Sequence, residues 1–256
     1  FNSRLHLDLL NYLEMPEETG GTTSSNDHWG GFQYYPERRN EEFKLNPIRK
    51  MLTGEQPPSE KFKCEKAVLN CVKNNQFVKL LMDALKSSGC PIDLKRHFAC
   101  EFCDGKVDGG YDTEMNQIVI CQNTAKSESR IASILAHEMV HMFDYCRNEV
   151  DFKNLGHLAC TEIRAAALTH CSFASAVLQG DASPIRIKDQ HKECVFNKAA
   201  WSVKIARGIS LEEAKDAVSK VFSKCYKDLE PVGRKIRRNS ADIRIAYYER
   251  DYYGYR

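Results

Sequence analysis

The stretch Ile131-Ala132-Ser133-Ile134-Leu135-Ala136-His137-Glu138-Met139-Val140-His141-Met142-Phe143-Asp144 decides the reading of this chain. Ile131, Ile134, Leu135 and Val140 fall at helical spacing, so the segment reads as an amphipathic helix over roughly 127–148. Residues four apart on a helix share a face, one turn above the other. His137 and His141 can therefore offer two imidazoles to one metal ion, at about 2.0–2.1 Å each for zinc. Glu138 is offset around the helix and need not ligate. It is instead placed to hold and deprotonate an attacking water and to pass that proton to a leaving amine.

The third ligand has to come from elsewhere. Asp144 lies seven residues from His137, about 10 Å along the axis, and no Gly or Pro at 142–144 breaks the helix. Asp144 reads better as an acceptor for a histidine ring N–H. Glu162, in Cys160-Thr161-Glu162-Ile163-Arg164-Ala165-Ala166-Ala167, follows far enough downstream for a loop and a returning helix. The small residues Ala165, Ala166 and Ala167 would let two helices approach closely. His157 and Glu149 are its rivals, and zinc geometry favours Glu162. Arg164 reads as a salt-bridge partner for a carboxylate such as Asp144, or as a group polarising the scissile carbonyl. Tyr111 and Tyr145 are further candidate donors to that carbonyl.

Around the motif the order of elements is helix, small sheet, then helices, an α+β layout. Phe77, Val78, Leu80, Leu81, Met82 and Leu85 mark a helix capped by Asn74 or Asn75 and stopped at Gly89. His97 to Cys103 and Met115 to Cys121 read as strands, with Gly109-Gly110-Tyr111 as a turn or bulge between them. The Met115–Cys121 strand is expected to pair with extended substrate beside the histidine helix. Further helices are expected over about 158–179, 185–207 and 210–228, with C-caps at Gly180 and Gly208 and a capping box at Ser210-x-x-Glu213. The implied organisation is an extended arm over 1–60, a metallopeptidase domain over 61–230 and a basic, Tyr-rich tail over 231–256. Trp29, Phe32, Tyr34 and Tyr35 in the arm could dock a partner, and the tail could lie on an anionic membrane surface or simply be solvated.

Composition bounds the rest. The net charge of +2 gives no field that would draw the chain to nucleic acid, so no nucleic-acid partner is expected. No stretch approaches the roughly 18–20 apolar residues that span a bilayer. The chain opens on Phe1, as expected after a processing cut or within a longer product. Eleven cysteines, all between Cys64 and Cys225, read as the disulfide framework of one domain in an oxidising compartment. The rival reading is a zinc site at Cys100-x-x-Cys103. The odd count leaves at least one thiol free or paired with another chain. Cys160 and Cys171 on one helix would sit about 16 Å apart, too far to pair, so each needs a partner that would fasten the Glu162 helix to its neighbours.

Several stretches resemble the mitochondrial inner-membrane metalloproteases that assist ATP synthase assembly, also called the Ku-binding-protein family. They are Val107-Asp108-Gly109-Gly110-Tyr111, Ile118-Val119-Ile120-Cys121, His137 through Arg147, and Asn154-Leu155-Gly156-His157-Leu158-Ala159-Cys160-Thr161-Glu162-Ile163-Arg164-Ala165. The resemblance covers about 64–230. It implies a zincin-like zinc endopeptidase with Zn2+ held by His137 and His141 and with Glu138 as acid/base. It also implies a site in the intermembrane space, peripheral to the inner membrane. Clients would be ATP synthase FO subunits, with subunit a processed or chaperoned. The chain departs from the family at Leu168-Thr169-His170-Cys171 and at Phe196-Asn197-Lys198, where an arginine run is usual, which weakens the case for a basic docking surface there. Two other readings are an assembly subunit that keeps the motif without cleaving, and a nuclear DNA-repair partner, which near-neutral charge and dense cysteines oppose.

Overall fold

The computed structural model of the chain describes residues 32–39, 57–171, 187–237 and 240–256. Its first long helix, α1 (Pro57–Asn74), opens on Pro57-Pro58. Prolines suit a helix start, since the first N–H groups of a helix have no intrahelical partner to lose. Asn75 then caps α2 (Gln76–Ser87), its side chain accepting from the N–H groups of Phe77 and Val78. The apolar period expected there buries Phe77, Val78, Leu80, Leu81 and Leu85.

A single helical turn at Leu94–His97 leads into a three-stranded sheet: β1 (Phe98–Glu101), β2 (Gly109–Asp112) and β3 (Gln117–Cys121). The strand order is β1-β3-β2, with β1 parallel and β2 antiparallel to the central β3. Gly109-Gly110-Tyr111 is therefore a strand and not a turn. Glycine is needed because a Cβ at Gly109 would stand 2.5 Å from Ile134 Cγ2 and 2.8 Å from the Val119 carbonyl oxygen. The next helix lies directly on this strand.

Alternation along the strands divides the sheet's surroundings. Tyr111, Ile118 and Ile120 enter the main core with α1, α2 and the histidine helix. Val119 and Cys121 face the other way, against Cys103 and Tyr35. Tyr35 is only 2% exposed, so this part of the N-terminal segment packs on its own domain instead of extending from it. Arg38 completes the attachment. Its guanidinium donates to Glu101 of β1 at 3.1 and 2.8 Å, and also reaches Asp112 of β2 and Gln117 of β3. One cation thus ties all three strands. Trp29 lies outside the described residues.

The remaining elements are helical. They are α3 (Glu128–Arg147), α4 (Leu155–Ala165) continued by a wider π turn over Ala166–His170, α5 (Ile187–Arg207), and α6 (Leu211–Cys225). Ser127 caps α3, Asn154 caps α4, and the capping box at Ser210 and Glu213 is formed. Gly208, with φ of +63°, ends α5. The expected helix over 158–179 is seen as far as His170, and Gly180 lies outside the described residues. Leu158, Ile163, Val195, Val203 and Val218 form a second apolar cluster among α4, α5 and α6.

The C-terminal segment, expected as a basic, Tyr-rich tail, is folded onto the domain. It folds into α7 (Asp242–Glu249) and a 3-10 turn at Arg250–Tyr253. Val232, Ala246 and Tyr255 are buried in the main core, and Arg250 pairs with Asp83 of α2 at 2.8 Å. Burial of these apolar side chains and that ion pair hold the segment down, although Tyr248 and Tyr252 stay exposed. Ten cysteines form disulfides: Cys64–Cys100, Cys90–Cys146, Cys103–Cys121, Cys160–Cys225 and Cys171–Cys194. Cys100 and Cys103 take separate partners, which removes the zinc reading of that pair, and Cys71 is a buried free thiol. No helix among the described residues is long and apolar enough to cross a membrane.

Candidate metal centre and active site

The α3 helix continues without a break past His141, so both histidines point from one face toward α4. There Glu162 meets them. His137 Nε2 and His141 Nε2 are 3.1 Å apart, and each lies 3.6 Å from a Glu162 carboxylate oxygen. Donors around a tetrahedral zinc are separated by roughly 3.3–3.6 Å, as follows from bond lengths near 2.0–2.2 Å. Two imidazole nitrogens and one carboxylate form a donor set typical of catalytic zinc, which leaves a fourth position for water or substrate. Glu162 Oε2 is buried with His137 Nε2 3.6 Å away and, among the described residues, meets no partner at ordinary hydrogen-bond distance, which suits an atom that would face a cation. Among the described residues this is the group of His, Cys, Asp and Glu whose donor atoms converge, all within 4.8 Å.

The other sequence candidates fall elsewhere. His157 is exposed, and its Nδ1 accepts the Asp151 N–H at 3.1 Å. Glu149 is exposed. Asp144 does not touch a histidine directly. Thr161 stands between, with Oγ1 2.8 Å from His141 Nδ1 and 2.7 Å from Asp144 Oδ2. Arg164 pairs with Asp144 at 2.8 Å and donates to the Glu230 carbonyl at 2.6 Å, so it is engaged away from a substrate carbonyl. Sequence reasoning missed Thr161, since a hydroxyl carries no ligand signature of its own.

Disulfides fix the helix that carries Glu162. Cys160–Cys225 ties α4 to the end of α6, and Cys171–Cys194 ties its π turn to α5. Of the three alanines, Ala165 packs with the main core that includes α3, whereas Ala166 and Ala167 pack with the helical cluster.

Glu138 is nearly enclosed, and burial pushes its carboxyl up to about 7; the His137 ring opposes this and the Glu162 charge adds to it. A carboxyl near neutrality suits a group that must accept and return a proton. Burial lowers the His141 imidazole to about 4, against the pull of Glu162, so the ring is neutral and its Nε2 lone pair can be offered. Beside the site, Tyr111, Tyr145 and Phe152 form an aromatic cluster with ring centroids 6.0–6.1 Å apart, and Phe152 lies 6.4 Å from His141. The Tyr111 hydroxyl donates to Asn116 at 2.7 Å and is thereby occupied. Because β3 is central, it has no free edge for a substrate strand. Among the described residues the outer strand that packs on α3 is β2, through the Gly109–Ile134 approach.

Comparison with known proteins identifies relatives of the chain. Residues 62–233 match the peptidase M76 family. The chain is 40% identical over 219 residues to the mitochondrial inner membrane protease ATP23 homolog of Xenopus laevis, covering 85% of this chain and 90% of that one. The Homo sapiens homolog of the same name is 42% identical over 187 residues, 72% of this chain and 74% of its own. That of Danio rerio is 37% identical over 238 residues, 91% and 90% respectively. No solved structure matches. The chain thus belongs to the peptidase M76 family and is a metallopeptidase.

Proposed function

We propose that the protein is a zinc-dependent endopeptidase and assembly factor of the mitochondrial intermembrane space, peripheral to the inner membrane, acting on ATP synthase FO subunit a. The observation that carries the peptidase reading is the convergence of His137, His141 and Glu162 with Glu138 beside them. A zinc ion held by the first three would polarise a peptide carbonyl and acidify water. The protein's own contribution is then positional. Glu138 takes a proton from water and delivers it to the leaving amine, and its burial keeps the carboxyl in a range where both transfers are feasible. The outer edge of β2, which pairs with no strand among the described residues, would offer backbone groups to an extended peptide lying along α3 toward Glu138.

The address rests on the names of the relatives, on the disulfide framework, which suits an oxidising space, and on the lack of a spanning helix among the described residues. The ATP synthase client comes from the family resemblance. The alternative is an assembly subunit that keeps the motif without cutting. Glu138→Gln separates the two. It should keep zinc, lose peptidase activity by roughly 10²–10⁴-fold and fail to restore subunit a maturation in cells lacking the protein. Full biological rescue by the variant would make the non-cleaving role the correct one.

A further inference from the structure

The contact between His141 and Asp144 runs through a single hydroxyl, and the hydrogens in that chain can be assigned. Arg164 Nε lies 3.0 Å from each Asp144 oxygen, and a second guanidinium nitrogen lies 2.8 Å from Oδ1. Held against the Arg164 guanidinium, the Asp144 carboxylate has no hydrogen of its own to give, so the Thr161 hydroxyl, 2.7 Å from Oδ2, donates to it. A hydroxyl has one hydrogen to give. The 2.8 Å contact from Thr161 Oγ1 to His141 Nδ1 must then be filled by a hydrogen on the ring nitrogen. That places the lone pair of His141 on Nε2, the atom that faces His137 and Glu162.

We infer that Thr161 is a positioning residue for the metal centre: it holds His141 in its Nδ1–H tautomer and fixes the plane of the ring. The inference rests on the zinc reading of His137, His141 and Glu162. Asp144 cannot do this alone. It follows His141 by one turn on the same helix, about 4.5 Å along the axis, and its carboxylate meets the ring only through a group supplied by α4. The same α4 turn presents Thr161 toward His141, Glu162 toward the converging nitrogens and Arg164 toward Asp144. Arg164 carries the chain outward to the Asp228 carboxylate at 2.5 Å and the Glu230 carbonyl at 2.6 Å, so the ring orientation is referred to the loop after α6. His141, Thr161, Asp144 and Arg164 are each no more than 5% exposed, so water does not substitute for the hydroxyl. Partners of metal-bound histidines of this kind change metal affinity by about 10–100-fold when removed.

Thr161→Val keeps the shape and deletes the hydroxyl; Thr161→Ser keeps the hydroxyl and deletes a methyl. Zinc affinity of the full chain is measured by competition with a chromophoric chelator. The tautomer of His141 is read from long-range nitrogen–proton NMR correlations of metal-free, histidine-labelled protein. The expected result is a 10- to 100-fold loss of zinc affinity in Thr161→Val, recovered to within about 3-fold in Thr161→Ser, with Nδ1–H His141 in the wild type and in the Ser variant. Wild-type affinity in Thr161→Val, or an Nε2–H His141 in the wild type, overturns the assignment. A folded wild type that binds no zinc refutes the metal reading instead, and the tautomer measurement then decides the relay by itself.

Discussion

His141 Nε2 and Glu162 Oε1 stand 3.6 Å apart although they belong to different helices separated by a loop. Nothing local to either helix holds that distance. It depends on how α4 is seated against α3, and α4 is seated by the buried Thr161–Asp144–Arg164 contacts on one side and by two disulfides on the other.

Opening the Cys160–Cys225 bridge should therefore act on the metal as well as on the fold. A Cys160→Ser/Cys225→Ser variant is expected to lose about 2–5 kcal/mol in denaturant unfolding. Its zinc affinity should fall too, because the bridge begins two residues before Glu162. Chelator competition on the folded variant checks the second half.

Arg38 neutralises Glu101 and Asp112 beneath the sheet, and its side chain is only 10% exposed. Arg38→Ala leaves the buried Asp112 and the half-buried Glu101 without their cation, at a cost of about 3 kcal/mol in equilibrium unfolding. A far smaller loss would mean that residues 32–39 lie on the sheet without bracing it.

Tyr255 fills the space beside Phe143 of the histidine helix, with ring centroids 6.4 Å apart. Tyr255→Ala should destabilise the protein by about 3 kcal/mol, in the range found for buried aromatics cut to alanine. Thermal unfolding reads it directly. A freely solvated tail would give no change.

His191 is buried in the helical cluster with Nδ1 2.7 Å from the Tyr226 hydroxyl, and burial, reinforced by Lys235, lowers it to about 4. The unfolded chain, with an imidazole near 6.5, binds the proton first on acidification. Stability is thus fully present above about pH 6.5 and is lost as pH falls from there toward 4. Urea unfolding of His191→Gln against wild type across that window should show a flatter pH dependence in the variant.

Much of the site was legible because its logic is periodic. His137 and His141 declare themselves by a spacing of four inside an apolar repeat, and the unbroken helix at 142–144 carries Asp144 along the axis away from His137, which leaves a third donor to a returning helix, where Glu162 lies. What escaped was decided by tertiary contact. Gly109 resembles turn chemistry in sequence, and only the approach of Ile134 shows that it belongs to a strand. Val232, Ala246 and Tyr255 are too widely spaced to register as an apolar period, yet they anchor the C-terminal segment. Arg38 reads as one more surface charge until three strands bring Glu101, Asp112 and Gln117 beneath it.

The most direct test of the central claim is the zinc content of the purified full chain, wild type beside Glu162→Ala and His141→Ala. The account predicts about one zinc per wild-type chain and strong loss in both variants while their disulfides and fold persist. Well-folded wild type with far less than one zinc, or Glu162→Ala holding a full equivalent, would contradict it.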